Sequence, residues 1–260
     1  MTYSIFKYFF NHVFKSKTRQ KLILLSIVGL LISSFSLVVL QGIMGGLQNG
    51  LVTRSKTALG DGFFDVSLLD EKSIEKLKGQ LNKENIVYVE ELELELMLKH
   101  DDYISPVILH GMNFNKTVPR FLKHKDKKGL ILGGDLGRNL RAFFGSTVNV
   151  TSVAHTNIVF QEVPRQAPIE VSDFYSSELP EIDSVHGWVR LSFLQNLIRE
   201  IKINKVRFFN QDIKVVKKIG KANGLRFISW EDQNSTLVFA LNLETKVMLF
   251  LFIGMSLLIG

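Results

Sequence analysis

The chain has 260 residues, 46% hydrophobic and 22% charged, with no cysteine and a formal net charge of +7. Its mean hydropathy of +0.14 excludes a bundle of many membrane spans, yet is high for an ordinary soluble domain; one anchor plus one sizeable folded domain fits. Lys7, Lys15, Lys17, Arg19 and Lys21 precede Leu22 with no acid among them, leaving only +2 for everything after, so the basicity is a membrane-orientation signal rather than a nucleic-acid surface.

Residues 1–21 place Ile5, Phe6, Phe9, Phe10, Val13 and Phe14 near one side at helical spacing. This suits a cytoplasmic amphipathic segment lying on the leaflet. Leu22 to Leu40 then runs nineteen residues without a charge. At about 1.5 Å per residue it spans a bilayer core of roughly 30 Å. The predicted first transmembrane helix is 22–44. A secretory signal would need a shorter apolar core and an Ala-x-Ala-like cleavage site. Gly29, Ser26, Ser33, Ser34 and Ser36 within the span favour close helix–helix contact. The cationic flank stays cytoplasmic, so the chain beyond it is expected outside the cytoplasm.

A stalk is expected over 45–62, ended by Gly60, Asp61 and Gly62. Phe63 to Leu69 reads as a strand. Asp70 with Ile74, Leu77 and Leu81 gives an N-capped amphipathic helix. A strand follows at Ile86 to Val89, and then Glu91, Glu93 and Glu95 alternate with leucines, the pattern of a half-buried strand with a wet acidic face. The segment from Ile104 to Asn113 continues as another strand. Strand, helix, strand, strand predicts an α+β domain with an antiparallel sheet over 63–233.

The basic cluster Lys123 to Lys128 reads as an exposed loop. A helix is expected from Leu136 to Phe144 and a strand from Thr147 to Val153. From Thr151 two β-like arms meet in a protruding hairpin over about 151–171, with Ile158, Val159 and Phe160 at its tip beside Glu162 and Arg165; exposed apolar residues at such a tip mark a docking surface. A strand at Gly187 to Leu191 leads into a helix beginning near Ser192. A last strand, helix, strand unit holds a helix at Asp212 to Lys221, capped by Gly224, and returns to the first sheet. From Asn234 one helix enters a second apolar run, Val247 to Ile259, shorter than the about twenty residues of a full span. The expectation is a stalk and truncated second transmembrane helix over 234–260, from a fragment, a frameshifted product or a truncated gene.

Catalytic chemistry has no visible seat. His12, His100, His110, His124, His155 and His186 are scattered without an H-x-x-x-H or H-x-H pair, and no cysteine assists them. Hence no metal and no cofactor are expected. Gly133, Gly134 and Gly137 match neither the dinucleotide nor the P-loop spacing.

Three stretches resemble the MacB/FtsX-type ABC transporter permeases, and within them the lipoprotein-releasing permeases of the LolC/LolE family. VLQGIMGGLQNGL resembles their span-to-stalk segment. GGDLGRNLRAFFGSTVNVTSV resembles their G-x-x-L-A-x-x-L-G-x-x-x-G-D-x-V-x-V segment, with Ser146 where Asp is usual. ISWEDQNSTLVFALNLETKVM resembles W-x-D-x-N-x-x-L-F-x-A-L-x-x-E-K-x-x-M. The resemblance implies a MacB-like periplasmic domain on the N-terminal half of an inner-membrane permease without its own ATPase. The partners implied are a cytoplasmic ATPase subunit, a second permease subunit, a lipoprotein substrate and a periplasmic lipoprotein carrier. On the same resemblance the carrier would meet Phe160, Val163, Pro164, Arg165 and Gln166, and the lipoprotein would meet Met44, Leu47, Met248 and Phe252. Other MacB/FtsX-type roles, export or regulation of a cell-wall hydrolase, and a bitopic scaffold or sensor are the alternatives.

Overall fold

The structure, a computed structural model, describes Tyr8 and residues 18–114, 119–123, 125–126, 128–157 and 163–259. The amphipathic segment expected over 1–21 therefore lies almost wholly outside the described residues. The chain forms two units, one of Met1–Gly50 with Ser235–Gly260, the other of Leu51–Asn234.

Among the described residues, the first unit holds two long helices, most of α1 (Thr18–Leu59) and α8 (Ser235–Ile259). Both are long and apolar enough to cross a membrane, the windows being Leu25–Leu59 and Ser235–Gly254. Large apolar side chains stand open along each, among them Phe35, Ile43, Phe239 and Phe250. Partly shielded positions recur instead at Leu30, Ser34, Leu37, Met44 and Gln48 on α1, and at Leu237, Leu241, Glu244 and Met248 on α8. This three-and-four spacing is that of a helix–helix seam, and Gln48 donates across it to Glu244 at 2.7 Å.

In the second unit, nine strands form one sheet among the described residues. Its first part follows β1 (Gly62–Asp65), α2 (Glu71–Lys83) and β2 (Tyr88–His100), and is completed much later by β8 (Lys205–Phe208), α6 (Ile213–Ala222) and β9 (Phe227–Ser229). The spatial order is β9, β1, β8, β2, each neighbour antiparallel, which is the split βαβ arrangement with both helices on one face. Leu77 and Leu81 of α2 and Val216 and Ile219 of α6 pack on Phe64, Val206 and Phe208. The helices form because their apolar residues recur at three and four positions. Asp212 caps α6, accepting from the Lys214 amide at 2.9 Å.

Between β2 and β8 the chain builds a second layer from β3 (Tyr103–Met112), β4 (Leu130–Gly133), α3 (Gly134–Asn139), β5 (Thr147–Asn157), β6 (Val163–Tyr175), α4 (Pro180–Asp183), β7 (His186–Arg190) and α5 (Leu191–Ile198). The order β2, β3, β7, β4, β6, β5 returns to β2, so six strands close into a ring. Leu92, Leu96, Leu98, Leu109, Leu132, Val148, Val150 and Val171 fill it, and α5 adds Leu194 and Leu197.

The α+β class stands, with corrections inside it. The sheet is mixed rather than antiparallel, since β3 pairs parallel to β7 and β4 to β6. Only the first part of Phe63–Leu69 is strand. The strand expected at Ile86–Val89 starts at Tyr88 and runs on without a break to His100 as one 13-residue strand, β2, because its early residues pair with β8 and its later ones with β3 and β5. The helix expected over Leu136–Phe144 stops at Asn139: Arg141 takes a φ of 50°, turning Phe143 and Phe144 out into solvent.

Candidate functional site

The residues singled out beforehand fall on three places. Phe160 lies outside the described residues. Val163 opens β6, and Pro164, Arg165 and Gln166 follow on the same strand, opposite Thr156, Ser152 and Thr151 of β5. Three residues of β5, 153–155, bulge between two consecutive partners on β6, which bends the outer arm. Arg165 Nη1 donates to the Ile198 carbonyl at the end of α5, a helix terminus that favours a cation. Gln166 is exposed. The Val171 amide bonds the Ser146 carbonyl at 2.8 Å, so by strand alternation Ile169, Ala167 and Arg165 turn their backbone groups toward β5. Pro164 and Pro168 then stand on the opposite edge, where no further strand pairs with residues 163–170 among those described. Met44 and Met248 belong to the half-shielded stripes of α1 and α8, while Leu47 and Phe252 are exposed on them.

The last turns of α1 build a second site with the domain. Ala58 is buried against Ile131, Ile182 and Trp188, with Leu59 beside it. Ser55, also buried, accepts from the Trp230 indole at 2.7 Å. Lys56 pairs with Glu231 at 2.6 Å and lies over the Trp230 ring, 5.4 Å from its centroid. Arg54 reaches Glu178 at 2.8 Å. Trp230 and Glu231 belong to α7 (Trp230–Gln233), whose N-terminus is closed by a capping box between Ser229 and Asp232. Hence the foot of α1 and the segment that leads to α8 share one socket. Gly60 turns the chain out of α1 with φ +77°, and a Cβ there would stand 2.6 Å from the Phe208 carbonyl; only glycine meets both demands.

Below this socket lies a buried charge cluster. Glu91 on β2 and Arg207 on β8 are essentially inaccessible. The Arg207 Nε donates to Glu91 Oε2, its Nη2 to Glu93 at 2.8 Å, and its Nη1 to the carbonyl of Leu59, the last residue of α1. Lys205 closes on Glu93 at 2.6 Å. His110 on β3 sets Nδ1 against Glu91 Oε1, and its Nε2 meets His186 Nδ1 on β7 at 2.8 Å. Burial alone would raise the Glu91 carboxyl, but the guanidinium and His110 outweigh it and hold it well below the carboxylate range. Burial, helped by the neighbouring His110 and Arg207, pushes His186 down to about 3, so it is neutral.

This corrects the wet acidic face read from the Glu–Leu alternation: Glu93 is half-buried and Glu95 exposed, but Glu91 is sealed between the two layers. The acceptor atoms of Glu91, Glu93 and His110 lie within 4.8 Å of one another, a spacing a cation can use. Arg207 and Lys205 already neutralise both carboxylates, so we assign the cluster to ion pairing. The sequence reading passed over it, treating the histidines as scattered. The available signal was Arg207 itself, a charge between Val206 and Phe208 in a short apolar strand, where it requires a buried partner.

The fold and these sites define a membrane protein with two apolar helices and an α+β domain. No family model matches the chain. It is 22% identical over 254 residues to the lipoprotein-releasing system transmembrane protein LolC of Buchnera aphidicola subsp. Acyrthosiphon pisum (strain APS). That match covers 88% of this chain and 62% of the relative, and it bears out the resemblance carried by the motifs. The chain thus spans about three-fifths of the length of that relative. Among solved structures, the extracellular domain of the noncanonic ABC-type transporter YknZ from Gram-positive bacteria aligns at 13% identity and a TM-score of 0.37, over 60% of this chain and 82% of that one.

Proposed function

We propose that the chain is the N-terminal part of an ABC transporter permease subunit that releases lipoproteins from the inner membrane to a periplasmic carrier. The observation that carries this reading is the likeness to LolC along 88% of the chain. The socket around Ser55, Lys56 and Trp230 supports it, because a subunit that works by moving its helices needs them fastened to the domain they move. In this reading residues 1–21 lie at the cytoplasmic face, 22–44 and the run after Val247 enter the membrane, 45–62 and the start of 234–260 form stalks, and 63–233 is periplasmic. ATP hydrolysis belongs to a separate cytoplasmic subunit, and a second permease subunit completes the assembly. The carrier is met by the hairpin through Phe160, Val163, Pro164, Arg165 and Gln166. Lipoprotein acyl chains contact Met44, Leu47, Met248 and Phe252.

Two experiments test it. A dual reporter fused near residue 150 is expected to be active outside the cytoplasm; activity confined to the cytosol overturns the topology. Replacing Phe160 and Pro164 by Ala is expected to abolish pulldown of the periplasmic carrier by the full chain, and unchanged pulldown removes the hairpin from the mechanism.

A further inference from the structure

The buried cluster joins five elements in one continuous series of hydrogen bonds, with Glu93 and Lys205 branching from Arg207. It begins at the Leu59 carbonyl, one of the orphan acceptors at the C-terminus of α1, and passes through Arg207, Glu91 and His110 to His186 on β7. Proton positions along it follow from the partners. A carboxylate only accepts, so His110 donates through Nδ1, and its Nε2 shares one proton with the Nδ1 of His186. The charged and titratable groups at this place are Glu91 and Glu93 on β2, Arg207 and Lys205 on β8, His110 on β3 and His186 on β7. The two carboxylates, Glu91 and Glu93, are matched by the two cations, Arg207 and Lys205. No member can move off alone without exposing a buried charge to an apolar surround. Trp188 stacks on His110 at 5.7 Å and packs in the same apolar cluster as Ala58, so the polar series and the apolar contact run side by side.

We propose that Arg207 is a coupling residue through which the foot of α1 governs the seam between β3 and β7, the series from Leu59 to His186 acting as a single unit. A shift of the Leu59 carbonyl draws the guanidinium, the guanidinium draws Glu91, and the two imidazoles follow. This deepens the reading of a subunit that transmits motion by naming the path, and it does not depend on what is transported.

The test is hydrogen exchange on the full chain in phospholipid nanodiscs, with neither ATPase nor substrate present, so failure of the permease reading leaves its outcome untouched. His186→Phe and His110→Gln alter the far end of the series, where neither side chain hydrogen-bonds α1. Both are expected to speed exchange at least tenfold at Gly60 and Asp61, whose amides bond the Lys56 and Phe208 carbonyls at 2.8 and 2.9 Å. Leu77 and Ile219, buried in α2 and α6, should keep their wild-type rates. Acceleration confined to β3 and β7 overturns the proposal. If either variant also speeds Leu77 and Ile219, it has lost the fold, and Arg207→Lys decides. That change keeps the charge but loses the fork, and it is expected to speed Gly60 and Gly187 together; a response at Gly60 alone rejects the coupling.

Discussion

Replacing Arg207 by Met removes one partner of a pair in which both side chains are at most 1% exposed. The loss is not the net worth of the ion pair, which for buried pairs is small. It is the cost of leaving Glu91 charged and dry without its guanidinium, with the Leu59 carbonyl and Glu93 each losing a donor as well. Breaking a buried pair from one side costs about 3–5 kcal/mol, and in a domain of this size each kcal/mol moves the melting temperature by about 2–4 °C, giving a fall of about 10 °C. The assay is thermal unfolding of the full chain in detergent, followed by near-ultraviolet circular dichroism. Adding Glu91→Gln to Arg207→Met takes away the stranded charge while keeping an acceptor for His110, so the double variant should regain at least half of the lost melting temperature. If Arg207→Met melts within about 2 °C of the wild type, or if Glu91→Gln restores nothing, the charge argument is wrong.

Two glycines should respond with opposite signs. Gly60→Ala places a Cβ against the Phe208 carbonyl at φ +77° and should destabilise by at least about 1–2 kcal/mol, whereas Gly79→Ala, with open space on exposed α2, should stabilise by about 0.5–1 kcal/mol; denaturant titration of both variants checks this. Stability should also depend on pH. His186 has an ordinary value of 6.5 and about 3 when folded, so below pH 6.5 the unfolded chain binds a proton that the folded chain refuses. Stability therefore falls on acidification from 6.5 toward 3, by at most about 1.4 kcal/mol per pH unit from this one group. Glu91, whose folded value is depressed, adds a further loss below its unfolded value of 4.5. A His186→Phe variant should show a flatter profile between pH 7 and 5, and an unchanged slope refutes the assignment. Finally, Gln48→Leu strips Glu244 of the donor held at 2.7 Å, and paired spin labels on α1 and α8 should report a broader distance distribution than in the wild type.

Local pattern and distant pairing parted company along this chain. The helix at Ile74, Leu77 and Leu81, the helix from Asp212 and the two arms around Thr151 and Pro168 were legible because each is written within a short stretch of sequence. So was the return of the last strand, helix, strand unit to the first sheet, since a short sheet needs neighbours for β1. The ring was not legible. Its parallel contacts, such as His110 beside Trp188 and Leu132 beside Phe174, join residues tens of positions apart, and nothing local announces them. The cluster was hidden for the same reason. Glu91, His110, His186 and Arg207 each look ordinary where they stand, and the alternation of Glu with Leu pointed to water on a face that the second layer covers. At the hairpin, sequence located the arms, but the bulge at residues 153–155 and the Arg165 bond to Ile198 depend on register and on α5.

The two prolines of β6 have a consequence for how the protein lives among other chains. An uncovered strand margin is a template on which a stray extended peptide, or a second copy of the same arm, can zip up and start a growing stack. Pro164 and Pro168 leave that margin with gaps in its row of N–H groups. The arm is thereby poor at recruiting backbone, which keeps it from sticking to itself, and any partner would have to read it by its side chains.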